Sequence, residues 1–167
     1  MRHLETGIQP FPGRFTNENP FIGGQGTTIA DITRELQKLD AENKTVVITD
    51  PYLFPRNHGQ QYQSELVGLL GGIKASKYRY CSPRLDDLQL FNDVCNDLSV
   101  QGIVLERTNA CIDSHDRFWY CPENEKCMSV GTSPNGVGTK LFEIHMLAAD
   151  DTAEIKRKLI AAGVLQV

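Results

Sequence analysis

The stretch DSHDRFWYC, residues 113–121, places a histidine and an arginine two positions apart, directly before an aromatic run. In an extended chain, residues i and i+2 leave the same face, so His115 and Arg117 are expected on one side of a strand. A guanidinium binds phosphoryl oxygens through paired N–H donors, and an imidazole can attack phosphorus or transfer a proton. The pair is therefore a candidate phosphate site.

A second polar group follows in the turn GTSPN, residues 131–135, where Ser133 and Asn135 are again two positions apart. If the strands on either side of the polar turn at 122–126 pair as a hairpin, the hydroxyl and the amide come to the sheet end that carries the histidine and the arginine. Four groups of this kind around one point would form a cradle for a phosphate group.

Each of these residues also has a structural interpretation. His115 could begin a strand and hydrogen-bond to Asp113 or Asp116. Arg117 could form an ion pair with Asp116, with Glu143 or with another carboxylate. Serine and asparagine are common in turns, so Ser133 and Asn135 indicate a functional site only because they occur together with His115.

The remaining polar candidates are interpreted mainly as structural. Asp-Pro-Tyr, residues 50–52, follows a β-branched run and is expected to stop a strand, although an aspartate at such a position can line a ligand crevice in an α/β sheet. His3, His58 and His145 do not stand in a comparable motif and are expected on the surface or in packing. The aromatic residues 118–120 are expected to pack the hairpin.

Hydrophobic periodicity defines the elements that must position these groups. Helices are predicted over 27–43, 58–72, 83–102 and 150–163, and strands over 45–49, 77–82, 103–108, 116–121, 126–132 and 140–147. The alternation of helices and strands predicts an α/β fold. Expected helix caps and first-turn residues are Thr27 or Thr28, Pro83, and Asp150 or Asp151.

The domain organisation follows from composition and length. Residues 1–26 are rich in proline, glycine and asparagine and are predicted to be an irregular lead-in, either held to the body by apolar side chains or partly mobile. Residues 27–167 are predicted to form one α/β domain, which the total of 167 residues favours. The apolar side chains of the lead-in are Phe11, Phe15, Phe21 and Ile22.

Charge and cysteine content limit the function classes. The net charge of −4 argues against a diffuse basic face for duplex nucleic acid, but it allows a local basic pocket. The five cysteines include no CxxC pair, so no structural zinc is expected; Cys121 and Cys127 could face each other across the hairpin, but a disulfide is not favoured. No signal core or membrane-length apolar run is seen, and a soluble cytoplasmic protein without metal or cofactor is expected.

The series His-Asp-Arg followed by Gly-Thr-Ser-Pro-Asn resembles the signature of the phospholipase D superfamily. In that signature a histidine and a lysine two positions apart precede Gly-Ser-x-Asn and a later acidic residue. His115, Arg117, Ser133 and Asn135 stand at the corresponding positions, and Glu143 stands where the later acid is expected. The resemblance implies a mixed sheet flanked by helices, corresponding to a single motif-bearing half of the superfamily fold.

A closer resemblance is to the phospholipase-D-like C-terminal domain of proteins that carry a microtubule-interacting-and-trafficking (MIT) domain. That domain also has Asp-Pro-Tyr after a strand and His-Asp-Arg before one, here residues 50–52 and 115–117. The resemblance implies an anion-recognising domain that binds membranes rather than cleaving lipid.

Departures from the superfamily signature separate two hypotheses. Arg117 replaces lysine, a proline precedes Asn135, and the acid expected shortly after the lysine is out of register. The first hypothesis is a non-catalytic or weakly active domain that binds an anionic lipid headgroup or a nucleic-acid backbone. The alternative is a metal-independent homodimeric phosphodiesterase or nuclease with His115 as nucleophile, because the two-step reaction of the superfamily requires two histidines and the chain has one motif.

Overall fold

The computed structural model describes residues 19–167 and confirms the α/β fold. Two short 3₁₀ turns, Gln37–Leu39 and Pro134–Gly136, accompany the longer elements. Within residues 19–167, no helix combines the length and the apolar character needed to cross a bilayer. The helices and strands are β1 (Phe21–Gly23), α1 (Ile29–Leu36), β2 (Thr45–Thr49), α2 (Tyr62–Ile73), β3 (Lys77–Cys81), α3 (Leu88–Val100), β4 (Val104–Thr108), β5 (Arg117–Cys121), β6 (Lys126–Val130), β7 (Phe142–Met146) and α4 (Ala149–Ala161).

The strands form one mixed sheet in the order β1-β7-β6-β5-β2-β3-β4. β2, β3 and β4 run parallel and are connected through α2 and α3, whereas all other neighbours are antiparallel. The sheet therefore joins a parallel half to an antiparallel half along the β2–β5 pair, and helices flank it as predicted.

Alternating side chains of the sheet enter two separate cores. On one face, α1, α2 and α3 cover Ile48, Tyr78 and Trp119, together with their apolar neighbours. On the other face, α4 covers Val47 and Tyr120. Consecutive residues of β2 and β5 thus point to opposite cores, so the face of each polar side chain follows from its position in the strand.

α1 begins at one of the two predicted caps and ends earlier than predicted. The Thr28 hydroxyl accepts a hydrogen bond from the Asp31 N–H, and the Asp31 carboxylate accepts one from the Thr28 N–H. The helix gives way to the 3₁₀ turn after Leu36, and Asp40 then adopts a left-handed conformation with φ of 51°. The predicted extension to residue 43 is therefore wrong.

Two glycines that were predicted to end α2 lie inside it instead. The helix continues through Gly71 and Gly72, and the left-handed residue that closes it is Lys74. A Cβ atom on Gly72 would lie 2.5 Å from Cγ2 of Thr33 in α1. Because glycine has no side chain, α1 and α2 can approach closely at this point. This close packing explains why a glycine stands inside the helix and not at its end.

α3 begins five residues later than Pro83, the residue predicted for its first turn. The side chain of Asp87 accepts a hydrogen bond from the Leu90 N–H at 2.9 Å and caps the helix there. Leu88, the first residue of the helix, is 61% exposed. Gly102, with φ of 75°, follows the helix as predicted. The buried stripe is Leu90, Val94 and Leu98.

α4 starts without the predicted side-chain cap. The cap position is Ala148. Asp150 and Asp151 lie in the first turn, where a negative charge stabilises the helix by interacting with the positive end of its dipole. Gly163, with φ of 78°, follows the helix end as predicted.

β1 lies inside the segment that was predicted to be irregular. It pairs antiparallel with β7, and the Phe21 ring packs 6.3 Å from the ring of Phe142. Ile22, one of the apolar side chains considered for holding this segment to the body, is exposed. The predictions for His3, Phe11 and Phe15 concern residues outside the described range.

Candidate functional site

Three chain segments that carry candidate residues meet at one end of the sheet. β2 and β5 pair antiparallel with Thr49 opposite Phe118, and β5 and β6 pair with Arg117 opposite Val130. The residue that follows β2, the first residue of β5 and the loop that follows β6 therefore lie at the same edge. Asp50 is the residue that follows β2.

Arg117 forms an ion pair with Asp50. Its Nε lies 3.3 Å from Oδ1 of Asp50, without the alignment of a hydrogen bond. The Asp50 side chain is fully buried, and that of Arg117 is 20% exposed. The Arg117 Cζ also lies 5.3 Å from the centre of the Tyr52 ring, within the range of a cation–π contact. Within residues 19–167, the carboxylate that pairs with Arg117 is therefore Asp50 rather than Asp116 or Glu143.

The burial of Asp50 disfavours its charge. Removal from water raises the pKa of this carboxyl to about 6, while the Tyr52 N–H, which donates to Oδ1 at 2.9 Å, and the Arg117 charge act in the opposite direction. The second oxygen, Oδ2, is buried and accepts no hydrogen bond from residues 19–167. The ion pair therefore compensates the buried carboxylate only in part.

The outer end of the Arg117 side chain keeps unused donors. Within residues 19–167, its terminal nitrogens Nη1 and Nη2 form no hydrogen bond, and the contact at 3.3 Å to the Asp50 carboxylate is made by Nε. A guanidinium with both terminal nitrogens available can bind a phosphate or a sulfate through two parallel N–H donors.

His115 lies in the bend that precedes β5 and is exposed. No hydrogen bond or ion pair joins it to another residue of the described range; in particular, neither Asp113 nor Asp116 is its partner, and the Asp116 N–H donates to the Ser114 hydroxyl instead. The neighbours Asp113, Ser114 and Asp116 line a pocket of about 300 Å³ beside the ends of β2 and β3. The structure thus places this histidine at the sheet edge that also carries Arg117.

The polar turn after β6 is ordered by its own contacts. Ser133 is buried and precedes the 3₁₀ turn Pro134–Gly136. The Asn135 side-chain amide donates to the carbonyl oxygen of Asn57 at 3.1 Å. At least part of the turn is therefore held against the loop that follows β2.

Tyr62 of α2 connects this turn to the buried ion pair. Its hydroxyl donates to the Leu53 carbonyl oxygen at 2.8 Å. Burial raises the pKa of Tyr62 far above its usual range; the negative charge of Asp50 adds to this effect, and the backbone of Asn135 acts against it. Asp50 and the backbone of Asn135 thus both act on this one buried hydroxyl.

Glu143 is separated from Arg117 by the sheet. Its neighbours in β7, Phe142 and Ile144, enter the core under α1, α2 and α3, which is the face that Arg117 shares with Trp119. Glu143 instead lines a cleft of about 410 Å³ beneath α4 on the opposite face. The structure therefore brings Arg117 and the polar turn together but leaves the candidate acid on the other side.

The sequence interpretation gave too little weight to Asp-Pro-Tyr at 50–52. Asp50 and Tyr52 provide the contacts that hold Arg117 in place. A second guanidinium, that of Arg84, lies 5.6 Å from the Tyr52 ring centre and pairs with both oxygens of Asp86 at 3.0 and 2.6 Å. The available signal was an aspartate at the carboxyl end of a buried parallel strand, the position where α/β sheets bind ligands.

Comparisons with known proteins do not assign a family. No family model and no curated protein matches the chain. Among solved structures, polyphosphate kinase from Porphyromonas gingivalis is 12% identical with a TM-score of 0.49, over 87% of this chain and 26% of that one. TrmBL2, an archaeal chromatin protein described with a novel mode of DNA binding, is 11% identical with a TM-score of 0.40, over 95% of this chain and 54% of that one.

The chain therefore spans about a quarter and about half of the lengths of these two structures. Identities this low concern the backbone fold alone, and TM-scores below 0.5 support no argument about function.

Proposed function

We propose that this chain is a phospholipase D-like domain that recognises a phosphate group, with little or no catalytic activity, and that Arg117 is its anion-binding residue. The observation that supports this proposal is the arrangement of the guanidinium: Nε lies 3.3 Å from a buried carboxylate oxygen, while Nη1 and Nη2 form no hydrogen bond within residues 19–167. An anchored guanidinium loses little conformational entropy when a ligand binds, which favours binding.

The surroundings of Arg117 fit a phosphate better than a carboxylate ligand. The turn that contains Ser133 and Asn135 follows Val130, the residue of β6 opposite Arg117, and carries small polar groups that are proposed to contact the remaining phosphoryl oxygens. His115 at the same sheet edge supplies a further donor. The proposed ligand is an anionic lipid headgroup or the backbone of a nucleic acid.

Because the net charge of the chain is −4, we expect the electrostatic attraction of an anionic ligand to be confined to this site. A ligand that replaces one counterion at Arg117 gives a salt dependence of about −1 in log K against log salt, far below that of proteins with a basic face. A steep salt dependence would instead indicate a broad electrostatic surface and would argue against this site.

Arg117→Gln tests the proposal. Loss of charge-assisted hydrogen bonds worth about 1.5–3 kcal/mol should weaken binding roughly 10- to 100-fold. Binding is measured by fluorescence polarisation with a labelled single-stranded oligonucleotide and by sedimentation with vesicles of phosphatidic acid in phosphatidylcholine. Arg157→Gln on α4, where the arginine is exposed on the opposite face of the sheet, is the matched control. Equal affinities of the two variants would refute the proposal.

Arg117→Gln leaves Asp50 buried without its counter-charge, so the variant could be poorly folded. The pair Asp50→Asn and Asp50→Asn/Arg117→Gln avoids this problem because neither variant contains the buried carboxylate. The second of these should bind at least tenfold more weakly than the first. Equal binding of both would exclude Arg117 as the anion-binding residue.

A second candidate function rests on the exposure of His115 and on its lack of a partner within residues 19–167. An accessible imidazole near a phosphate-binding guanidinium is suited to nucleophilic attack on a phosphodiester. Because the signature occurs once, a homodimer would have to supply the second histidine. Glu143 lies on the face of the sheet opposite the Arg117 guanidinium, which favours the binding function.

His115→Ala separates the two functions. Under the second, wild-type protein hydrolyses bis(p-nitrophenyl) phosphate in the presence of EDTA, elutes as a dimer, and loses this hydrolysis in His115→Ala. Under the first, neither protein hydrolyses the reporter, and the variant still binds the oligonucleotide or the vesicles. Hydrolysis that survives the substitution would exclude His115 as nucleophile.

A further inference from the structure

The carboxyl group of Asp50 has an unusual environment for a charged group. It is fully buried, one oxygen contacts the Tyr52 N–H and Arg117 Nε, and the other oxygen has no hydrogen-bond partner within residues 19–167. A buried polar atom that lacks a partner in a native protein requires an explanation. A protonated Asp50 would carry its proton on Oδ2 without disturbing the contacts of Oδ1.

The groups that face Asp50 come from three elements. Arg117 of β5 is the charged group that acts on it within residues 19–167. Tyr62 of α2 and Tyr80 of β3 also interact with it, and burial raises the pKa of both hydroxyls, that of Tyr80 to about 12, so both are neutral near pH 7. The charge balance at Asp50 therefore depends on a single guanidinium.

An anion held by Nη1 and Nη2 of Arg117 would share that guanidinium with Asp50. Two negative charges a few ångströms apart in a buried site repel each other, and such pairs are relieved when one carboxylate takes up a proton. We propose that Asp50 takes up one proton from solvent when an anion binds to Arg117, so that this site binds an anion and a proton together. The inference rests on the proposed anion-binding function and concerns its regulation by pH.

Thermodynamic linkage fixes the direction of the effect. If binding is coupled to the uptake of one proton, affinity increases as pH falls, by at most tenfold per pH unit. Because the unliganded carboxyl has a pKa of about 6, the increase occurs above pH 6 and levels off below it. Asp50 then acts as a positioning residue that also sets the pH range of binding.

Inorganic sulfate is the probe for the test, because it resembles phosphate in shape but does not titrate between pH 6 and pH 8. Its affinity is measured by NMR titration at several pH values in that range. Wild-type protein should bind more tightly at pH 6 than at pH 8, by about fivefold or more. Asp50→Asn should bind with the same affinity at both pH values, close to that of wild type at pH 6.

Two controls separate this inference from the proposed function. Arg117→Gln should not bind sulfate at either pH; if it binds as wild type does, the proposed function fails. His115→Gln should keep the pH dependence, because the inference assigns the proton to Asp50; this variant tests whether the exposed histidine at the same sheet edge is involved. If wild type binds through Arg117 with an affinity independent of pH, or if His115→Gln rather than Asp50→Asn removes the dependence, the proton-uptake inference fails and the proposed function stands.

A measurement on the unmodified chain covers the case in which Asp50→Asn does not fold. Infrared difference spectra of wild-type protein, recorded at pH 7 with and without sulfate, should show the carbonyl stretch of a newly protonated carboxyl group. The absence of this band at saturating sulfate would overturn the proton-uptake inference.

Discussion

The substitution Asp50→Asn separates the cost of burying a carboxylate from all other electrostatic effects in the fold. Asparagine has nearly the same shape, keeps an acceptor for the Tyr52 N–H, and mimics the protonated carboxyl. Because the variant and the wild type share every other titratable group, the difference between their free energies of unfolding isolates Asp50.

The magnitude follows from the pKa of the carboxyl. Burial raises this pKa from 3.8 to about 6, and one pKa unit corresponds to about 1.4 kcal/mol, so the total effect is about 3 kcal/mol. Between pH 4 and pH 6 the folded protein holds more protons than the unfolded chain, so its stability falls as pH rises through this window and levels off above it. Asp50→Asn should therefore gain about 3 kcal/mol relative to wild type between pH 4 and pH 7.

Urea unfolding followed by far-UV circular dichroism at pH 4, 5, 6 and 7 gives both free energies of unfolding. Asp116→Asn, which removes an exposed carboxylate close to Arg117 in sequence, shows whether any aspartate gives the same profile. A difference between Asp50→Asn and wild type that stays constant with pH would refute the reasoning. A difference of opposite sign would show that the attraction of Arg117 outweighs burial.

Two further substitutions test the turn that borders the site. Gly131→Ala should lower the free energy of unfolding by about 1–3 kcal/mol, because the new Cβ would lie 2.9 Å from the Glu143 carbonyl oxygen. Gly59→Ala is the control, because no atom lies within 4 Å of a Cβ at that position. Equal urea midpoints of the two variants would contradict the prediction. Asn135→Ala should cost about 1 kcal/mol through loss of the hydrogen bond to the Asn57 carbonyl, and an unchanged urea midpoint would show that this bond does not hold the turn.

Much of the fold could be predicted because the local signals agree with the tertiary structure. The β-branched run at 45–49 forms β2 with the predicted bounds, and helices alternate with strands as the hydrophobic periods indicate. The errors concern residues whose role depends on distant partners. Gly72 was predicted to end a helix because glycine favours helix ends, yet its actual role is set by Thr33 in the neighbouring helix.

The sequence predicted that the candidate residues lie close together, but not the contacts that they make. The spacing of His115 and Arg117 and the following turn predicted one shared sheet edge, and the strand register brings them to one edge. The partner of Arg117 could not be read from the sequence, because Asp50 follows a strand that pairs with β5 only in the folded sheet. The face of Glu143 follows from the buried residues on either side of it in β7, but the register of β7 was not known from the sequence.

The pairing of β2 with β5 has a consequence for how the site is assembled. Thr49 and Phe118 are hydrogen-bonded across 69 positions of chain, so the ion pair beside them forms only after a long loop has closed. Contacts of such high sequence separation slow folding and are not expected in a fragment that lacks either strand. The proposed sulfate affinity would thus also report native topology: refolding intermediates and truncated chains with much of their helix content should lack it.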